Sequence, residues 1–329
     1  MTKTITQSIS RRTLITVAAS CLFASAPAWA QSGAPLRVIL PVGAGSGVDT
    51  IVRAAQNALS KALGGQSVVI ENLPGAGGIT GTSALVKAAP DGNTVAFISN
   101  NHAVNPSVFK TLPYDSLADI TPISVVGGSP FVLVVNPAKV PAKNAKEMQA
   151  LLKAKPGAFN MGSSGNGTII HLAGEMFVDA AGVQVQHIPY KGMGPMMADI
   201  IGGQVEFGVA AVAAAQGHLA SGRMKAIGVM GKERVASLPD VPTLAEQGFP
   251  DVDVAGWFAM IGPKGLPAAQ VDRLHKAVVA AFNDPGVKAT MAKQDNFIHP
   301  TTPDAAVKFL KSEQDRYARL VSKANIKLD

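Results

Sequence analysis

The sequence predicts an α/β fold arranged as two lobes, and three observations lead to this prediction. From residue 36 onward, short β-branched segments alternate with amphipathic helical patterns, which is typical of parallel sheets covered by helices on both faces. The chain has 329 residues, more than a single hydrophobic core usually holds. Proline-rich segments at residues 112–145 and 237–250 interrupt the alternation and predict two crossings between lobes. The predicted lobes are residues 31–125 with 250–329 and residues 126–249.

Each predicted element rests on its local pattern. Helices are predicted where apolar residues recur at helical spacing, and the two C-terminal helices are expected to pack back on the first lobe. Strands are predicted where short runs rich in Val, Ile and Phe are bounded by turn residues. The predicted strands are residues 36–40, 67–71, 94–99, 123–126, 131–135, 159–162, 185–188, 205–209, 225–229 and 254–261. The predicted helices are residues 49–63, 79–89, 145–155 and 193–201, a segment after Gly167, and two segments marked by Val271, Leu274, Val278 and Phe282 and by Val307, Leu310, Tyr317 and Val321.

The first thirty residues predict an exported protein. Arg11-Arg12 leads into an apolar run at residues 14–24, and Ala28-Trp29-Ala30 follows as a small-x-small cleavage site. This is the pattern of a secretory signal peptide, and the apolar run is too short to anchor a protein in a membrane. The arginine pair also fits a twin-arginine signal, so both export routes stay open. We expect the mature protein to work in the periplasm.

Composition restricts what the mature chain can do. The only cysteine, Cys21, lies inside the signal peptide and follows a poor lipidation sequence, so the mature chain has no disulfide and no thiolate nucleophile. Removing residues 1–30 takes three cations and no acid, so the net charge falls from +7 to +4. No cluster of Lys and Arg interleaved with aromatic residues predicts nucleic-acid binding. His171 and Glu175 are one helical turn apart but lack a third ligand at a suitable spacing, so no metal site is predicted.

A glycine-rich loop at residues 41–49 follows the first predicted strand and precedes the first predicted helix. Its glycines let the backbone approach a ligand, and the start of a helix offers unpaired N–H groups and a partial positive charge. The loop therefore predicts an anion site, although a plain turn capped by Asp49 is an alternative. A dinucleotide site is a further alternative, with Glu71 as the ribose-binding acid, but Val48 stands where the fingerprint needs a third small residue. The candidate ligand-binding residues here are Val42, Ala44, Gly45, Ser46, Gly47 and Asp49.

Polar residues also follow other predicted strands, and the carboxyl ends of parallel strands meet at one crevice. The second glycine-rich loop, residues 72–81, fits tight packing as well as ligand contact. The loop at residues 162–168 presents hydroxyls and backbone donors, but Asn166 stands where a serine hydrolase needs glycine. Lys191 can pair with a carboxylate or be a solvated surface lysine. The further candidate ligand-binding residues are Asn101, His102, Ser163, Ser164, Gly165, Thr168, Tyr190 and Lys191. Many donors with few acids or bases indicate a site that holds a ligand without transforming it, so no enzyme activity and no cofactor are predicted.

An ordered set of motifs along the chain resembles the Bug family, the periplasmic receptors of tripartite tricarboxylate transporters. The motifs are Glu71-Asn72-x-Pro74-Gly75-Ala76-Gly77-Gly78, Pro90-Asp91-Gly92, Leu112-Pro113-Tyr114-Asp115, Ser163-Ser164-Gly165-x-Gly167-Thr168-x-x-His171-Leu172, Pro189-Tyr190-Lys191-Gly192, Gly202-Gly203-Gln204-Val205, Leu238-Pro239-Asp240-Val241-Pro242-Thr243 and Gly256-Trp257. The resemblance implies the two-lobed periplasmic binding protein fold, with a hinge and an interlobe ligand cleft. It implies that the loops at 42–49 and 163–168 hold one carboxylate group, partly through ordered waters.

The same resemblance implies a small carboxylate as ligand and membrane transporter subunits as partners, and we expect a monomer. The chain departs from the family at Ser46, where members usually carry a Gly-Gly pair just before the aspartate. Asn101, His102 and the loop after Val209, including Ala210, are expected to face the far end of the ligand. Residues 210–215 are apolar, so an aromatic or long-chain carboxylate is as plausible as citrate or a compact amino acid. An exported NAD-dependent oxidoreductase and an orphan receptor for a sensor kinase stay as alternatives.

Overall fold

Ten strands and ten helices alternate along residues 33–323, the part of the chain that this computed structural model describes. The predicted signal peptide, residues 1–30 with Cys21, lies outside the described residues. The strands are β1 (Leu36–Leu40), β2 (Val68–Asn72), β3 (Thr94–Ser99), β4 (Ile120–Val135), β5 (Asn160–Ser163), β6 (Gln186–Pro189), β7 (Phe207–Ala211), β8 (Lys225–Val229), β9 (Ala255–Pro263) and β10 (Phe297–Ile298). The helices are α1 (Gly47–Ala62), α2 (Ile79–Val86), α3 (Asn100–Val108), α4 (Ala145–Ala154), α5 (Ile169–Ala181), α6 (Met193–Gly202), α7 (Val212–Ala220), α8 (Ala268–Asn283), α9 (Pro285–Lys293) and α10 (Pro303–Lys323).

The strands join in the order β2-β1-β3-β9-β4-β7-β5-β6, and β8 and β10 also pair with β4. The pairs β1/β2, β1/β3, β5/β6 and β5/β7 are parallel, as the strand-helix alternation predicts. Strand β9 runs antiparallel to both β3 and β4, and β4 is also antiparallel to β7. The sheet is therefore mixed, because β4 and β9 carry the chain between its two halves without a helical crossover.

Strand β4 is shared by both halves of the sheet. Up to Pro130 it pairs with β9, and from Phe131 onward it pairs with β7 and β8. The prediction of two short strands, at residues 123–126 and 131–135, is wrong, because β4 continues through both segments. Pro130, which suggested a break, stands where β4 changes its pairing partner from β9 to β7. Pro130 lacks the N–H that a continuous ladder needs, and it is the last residue of β4 that pairs with β9. The lobe boundaries at 125/126 and 249/250 stay predictions.

Helices cover both faces of the first half of the sheet, as predicted. Alternate residues of β1 and β3 point to opposite sides: Val38 and Phe97 contact one core with α1 and α8, whereas Ile39 and Ile98 belong to the other. Helix α8 packs on this half through Phe282, whose ring centroid lies 6.1 Å from that of Phe97. Within the described part of the chain, residues 35–323 belong to one compact unit. Among the described residues, no helix is both long and apolar enough to cross a membrane.

Three helices were missed by the sequence analysis: α3, α7 and α9. Helix α3 contains Pro106 and buries Asn100 and Asn105, so it lacks the amphipathic spacing on which the predictions depended. Helix α7 begins within the Ala-rich run at residues 210–215, where every position is small or apolar and no periodicity stands out. Helix α9 is short and follows α8 directly, and it begins at the Asp284 cap with proline in its first turn.

Two glycines inside helices are expected to respond oppositely to alanine. A Cβ at Gly81 in α2 would lie 2.8 Å from both the Leu73 carbonyl oxygen and the Pro41 Cα, whereas one at Gly217 in α7 would meet nothing within 4 Å. We expect Gly81→Ala to lower the free energy of unfolding by about 1–3 kcal/mol through overpacking. We expect Gly217→Ala to raise it by about 0.5–1 kcal/mol, as in an unobstructed helix. Urea denaturation of both variants measures the difference, and equal effects would contradict the close packing at Gly81.

Candidate ligand-binding site

A cavity of about 470 Å³ lies between the two halves of the sheet. This volume is typical of sites for small molecules. Its wall comes from the carboxyl ends of β1 and β3 in the first half and of β5, β6 and β7 in the second, together with β4 and β9. Nine of the candidate residues line it: Val42, Ser46, Gly47, Asn101, Ser164, Gly165, Thr168, Tyr190 and Lys191.

Six helices begin at this cavity. Their N-cap residues all line it: Ser46 for α1, Gly78 for α2, Ser99 for α3, Thr168 for α5, Gly192 for α6 and Ala211 for α7. Of these six N-cap residues, only Ser46 and Thr168 make a side-chain cap hydrogen bond, to the N–H groups of Asp49 and His171. The first N–H groups of a helix have no partner inside it. At α2 the Ile79 and Thr80 N–H groups donate to the Ala76 and Gly75 carbonyls of the preceding turn, so three helix starts, those of α3, α6 and α7, present donors without a side-chain cap to the cavity.

The cavity is positively polarised. Each helix start carries a partial charge of roughly half a unit, which natural helices often offset with an acid in the first turn. Of the six helices only α1 has one, Asp49, and its carboxylate is used within the loop. Among the lining residues that the structure describes there is no Asp or Glu, and Lys191 is the one charged side chain. The arrangement favours a bound anion.

The first loop is held in place by Asp49. This buried carboxylate accepts hydrogen bonds from the Gly45 N–H at 3.0 Å, from Asn72 Nδ2 at 2.9 Å and from Arg53 Nε at 2.8 Å. Asn72 Nδ2 also donates to the Val42 carbonyl at 3.2 Å, which ties the loop to the end of β2. Gly45 has a φ of +77°, a conformation that is strained for a residue with a side chain. Three candidate residues of this loop do not line the cavity: Ala44, Gly45 and Asp49. The hydrogen bonds of Asp49 show that it positions the loop.

Hydrogen bonds on the side away from the cavity hold the second loop, which lies between β5 and α5. Ser163 is fully buried, accepts a hydrogen bond from the Gly165 N–H at 3.1 Å and lies 2.6 Å from His187 Nε2. Thr168 Oγ1 donates to the Gly165 carbonyl at 2.8 Å and accepts from Ser164 Oγ at 3.0 Å. Ser163 is absent from the cavity wall, so it supports the loop, while Ser164, Gly165 and Thr168 face the cavity.

Two stacked histidines lie behind this second loop. The rings of His171 and His187 are 3.8 Å apart between centroids and nearly parallel, at 8°. The Gly167 N–H donates to His171 Nδ1 at 3.3 Å, so His171 packs beneath the loop. Burial, and then the proximity of His171, lower the pKa of His187 to about 4, with Glu175 acting in the opposite direction. Within residues 33–323, no three His, Cys, Asp or Glu side chains are placed to hold a metal ion.

Asn101 joins the two halves of the site. It lies in the first turn of α3, and its Oδ1 accepts a hydrogen bond from the Ile169 N–H at the start of α5, at 2.7 Å. Close approach continues along the cleft: a Cβ at Gly47 would lie 3.2 Å from the Ala211 Cβ, and one at Gly43 would lie 3.6 Å from the Lys191 carbonyl oxygen. The starts of helices from both halves therefore face each other across the cavity.

Two other candidate residues lie away from the cavity wall. His102 is buried, its Nε2–H donates to the Ser116 carbonyl at 2.7 Å, and burial lowers its pKa to about 4. It lines only a separate space of about 10 Å³ beside the main cavity. Ala210 is fully buried within β7, and the next residue, Ala211, lines the cavity in its place, because side chains alternate along a strand. Glu71 pairs with Arg37 at 2.7 Å and is also absent from the wall.

The structure adds an aromatic and apolar wall that the sequence analysis did not identify. Phe109, Phe131, Trp257 and Phe258 line the cavity, together with Val48, Ile51, Ile169, Ile170 and Met193. These residues come from segments far apart in the chain, and in the sequence each one resembles an ordinary residue of the hydrophobic core. The Gly256-Trp257 motif was the only signal in the sequence, and it came from the family resemblance. The glycine-rich loop at residues 74–78 also lines the cavity, which favours the ligand-contact interpretation of that loop.

Tyr190 and Lys191 differ in what they offer a ligand. The Tyr190 hydroxyl donates to Asp199 Oδ2 at 2.8 Å, and burial and this carboxylate raise the pKa of Tyr190 to about 12. Lys191 is exposed at the rim and has no ion pair with any residue that the structure describes. The phenol ring therefore contributes a surface, and Lys191 contributes charge.

Replacing Lys191 with methionine is expected to weaken carboxylate binding no more than about fivefold, because an exposed charge pair contributes little. The salt dependence of binding is expected to fall with it, since screening acts mainly on exposed charges. Titration calorimetry at low and high NaCl measures both effects. Lys155→Met, at an exposed lysine away from the cavity, is the matched control. A loss far above fivefold would mean that Lys191 is the main anchor and the helix starts are secondary.

A two-lobed α/β protein with a cavity between its lobes that favours a bound anion has the architecture of periplasmic solute-binding proteins. The model of the tripartite tricarboxylate transporter family receptor, TctC, matches residues 51–326, and the chain belongs to this family. BugT of Bordetella pertussis is 34% identical over 296 residues, which cover 89% of this chain and 90% of BugT. The family resemblance noted from the motifs is confirmed.

Two solved structures of Rhodopseudomonas palustris proteins are similar to this chain and contain ligands. Rpa4515 with adipate has a TM-score of 0.86 and 27% sequence identity, and the match covers 91% of this chain and all of that one. MatC with bound malate has a TM-score of 0.82 and 26% identity, covering 87% of this chain and 98% of MatC. The predicted two-lobed binding-protein fold is confirmed by these likenesses.

Proposed function

We propose that this protein is a periplasmic receptor that captures a small carboxylate between its two lobes and delivers it to the membrane subunits of a tripartite tricarboxylate transporter. The observation that carries the proposal is the convergence of six helix starts on one cavity whose described lining contains no acid. The family and the carboxylates in the similar structures support the same ligand chemistry. Export by the signal peptide at residues 1–30 belongs to the proposal.

One carboxylate group is proposed to lie between the loop at residues 42–47 and the loop at residues 164–168. Ser46 Oγ accepts the Asp49 N–H, so its own proton is available to the ligand. The uncapped starts of α3, α6 and α7 add backbone donors, which bind carboxylates without a positively charged side chain. Because the ligand would contact both lobes at once, it would bind the closed arrangement more tightly and shift the population toward it.

Binding without catalysis is part of the proposal. Ser163 and His187 lie 2.6 Å apart, as a nucleophile and its base would, but Ser163 is fully buried and does not line the cavity. The pair instead holds the loop beneath the ligand. The dinucleotide alternative loses its ribose-binding acid, because Glu71 is engaged by Arg37.

The test uses the mature protein, unfolded and refolded to remove any ligand carried through purification. Titration calorimetry with aliphatic dicarboxylates, aromatic carboxylates, citrate and NAD is followed in parallel by the fluorescence of Trp257, which lines the cavity. We expect at least one carboxylate class to bind with a dissociation constant in the micromolar range or below, and NAD not to bind. Binding of NAD together with failure of every carboxylate would overturn the proposal.

A further inference from the structure

We infer that the ligand carries carboxylate but no ammonium group and has an apolar body, so this receptor discriminates against α-amino acids. The inference rests on the proposed function and names the chemical class of ligand that the same cavity takes. It depends on three features of the site. The first is the hydrogen bonding of the acids next to the cavity, the second is the hydrogen bonding of the amide side chains in its wall, and the third is the apolar surface that the wall presents to a ligand.

Three acids next to lining residues are engaged behind the wall. Asp49 holds the first loop through Gly45, Asn72 and Arg53. Asp199 accepts the hydroxyl proton of Tyr190, and Glu313 accepts a hydrogen bond from Trp257 Nε1 at 2.7 Å. A ligand ammonium would therefore meet Lys191 and six positive helix ends without a facing carboxylate among the described lining residues. A charge that loses water without a partner costs several kcal/mol.

Two of the three amide side chains of the wall have their oxygens engaged, and the third, Asn166, is exposed to solvent. Asn100 is buried, and its Oδ1 accepts the Trp257 N–H at 2.9 Å while its Nδ2 donates to the Ala255 carbonyl and the Tyr317 hydroxyl. Asn101 Oδ1 accepts the Ile169 N–H. These two amides stabilise the wall and offer no further strong acceptor. Asn101 Nδ2 remains as a donor, which suits an anion.

The remaining wall is apolar on the side of the aromatic residues. Trp257 and Tyr190 turn their polar atoms outward from the cavity, to Glu313 and Asp199, and so present ring surfaces. Phe109 and Phe131 extend this surface. A hydrocarbon or aromatic body gains from burial against such a wall in proportion to its area, whereas a hydroxyl or ammonium on that body would lose its hydrogen bonds to water. A ligand therefore complements this cavity when its carboxylate lies at the helix starts and its hydrocarbon body lies against the aromatic rings.

Pairs of ligands that differ in one group test the inference directly. The pairs are glutarate with glutamate, succinate with aspartate, and 3-phenylpropionate with phenylalanine, titrated calorimetrically into the stripped protein at pH 7.5. We expect the member without the ammonium group to bind about 100-fold more tightly in each pair that binds. A preference of tenfold or less in any such pair overturns the inference. If no carboxylate binds at all, the proposed function fails instead, so the two failures are distinguishable.

Succinate and malate, which differ by one hydroxyl, test the apolar body. We expect succinate to bind more tightly, and tighter binding of malate would overturn this part of the inference.

A variant of the wall separates charge from shape. Asn101→Asp places a carboxylate of nearly the same shape at the cavity while keeping the acceptor for the Ile169 N–H. We expect this variant to bind the carboxylates without an ammonium group more weakly. The ratio of their affinity to that of the matching amino acids should fall by about tenfold. Asn101→Ser is the matched control, because it removes the amide without adding charge and should leave the ratio within each pair unchanged. An unchanged ratio in Asn101→Asp, with folding verified by circular dichroism, would contradict the electrostatic basis of the discrimination.

Discussion

Replacing Asp49 with alanine is expected to lower the affinity for the carboxylate by about 100-fold, although Asp49 does not line the cavity. Its carboxylate, 7% exposed, is the common acceptor for Gly45, Asn72 and Arg53. Without it the loop at residues 43–46 loses its tether and the N-cap of α1 shifts relative to the opposite lobe. Misplacement of binding groups by about 1 Å is enough for a loss of this size.

The stability of the Asp49→Ala variant should fall by about 2 kcal/mol, since it loses hydrogen bonds to a charged and mostly buried group. Asp49→Asn should be intermediate, because the amide keeps one oxygen acceptor and loses the other. Glu71→Ala is the matched control: the Arg37–Glu71 pair is 41% and 40% exposed, so its loss should cost less than about 1 kcal/mol and leave affinity unchanged. Calorimetry and urea denaturation measure both quantities. Full affinity in a folded Asp49→Ala protein would contradict the positioning role.

The second large effect is expected on acidification. Burial lowers the pKa of His102 to about 4, and the hydrogen bond from its Nε2–H to the Ser116 carbonyl offsets only part of that shift. His102 Nδ1 is buried without a partner among the described residues, and the ring stacks on Tyr114 at 6.1 Å between centroids. The unfolded chain protonates near its ordinary pKa of about 6.5, so below that pH it binds a proton that the folded protein does not.

Stability is therefore fully present above about pH 6.5 and falls as the pH drops toward 4. The loss should be about 2–3 kcal/mol from His102, at 1.36 kcal/mol per pKa unit, and His187 adds to it in the same direction. His102→Gln keeps an N–H donor for Ser116 and removes the titration. Urea denaturation at pH 7.5 and pH 4.5 should show a smaller difference for this variant than for the unmodified protein. Equal differences in the two proteins would rule out His102 as a source of the acid sensitivity.

Much of the fold could be predicted because its cause is local. Strands β1 and β3 and helix α1 follow from runs of apolar residues whose period is set by the backbone. The glycine-rich loops fall where a strand ends and a helix begins, and Ser46 and Thr168 cap the helices that follow. Helices α3 and α7 were missed, because a buried helix in an Asn-rich or Ala-rich segment has no polar face to mark it.

The candidate site shows the same division. Ser46 and Thr168 face the cavity as predicted, since a residue at the start of a helix after a parallel strand points into the crevice. Asp49 and His102 were predicted by the same reasoning and lie elsewhere, one bonded within its loop and the other buried against Ser116. Position along the chain locates a residue near the crevice, but hydrogen bonds to distant residues decide which way its side chain turns.

The sequence by itself determined the class of fold, the family and the glycine-rich loops that precede the helices, because each of these depends on short segments read in order. The tertiary structure alone decided that six helix starts share one cavity and that Phe131 and Trp257 form an apolar wall opposite them. It also decided that the acids nearby are engaged behind that wall. Each of these depends on contacts between residues far apart in the chain, which local sequence patterns do not encode.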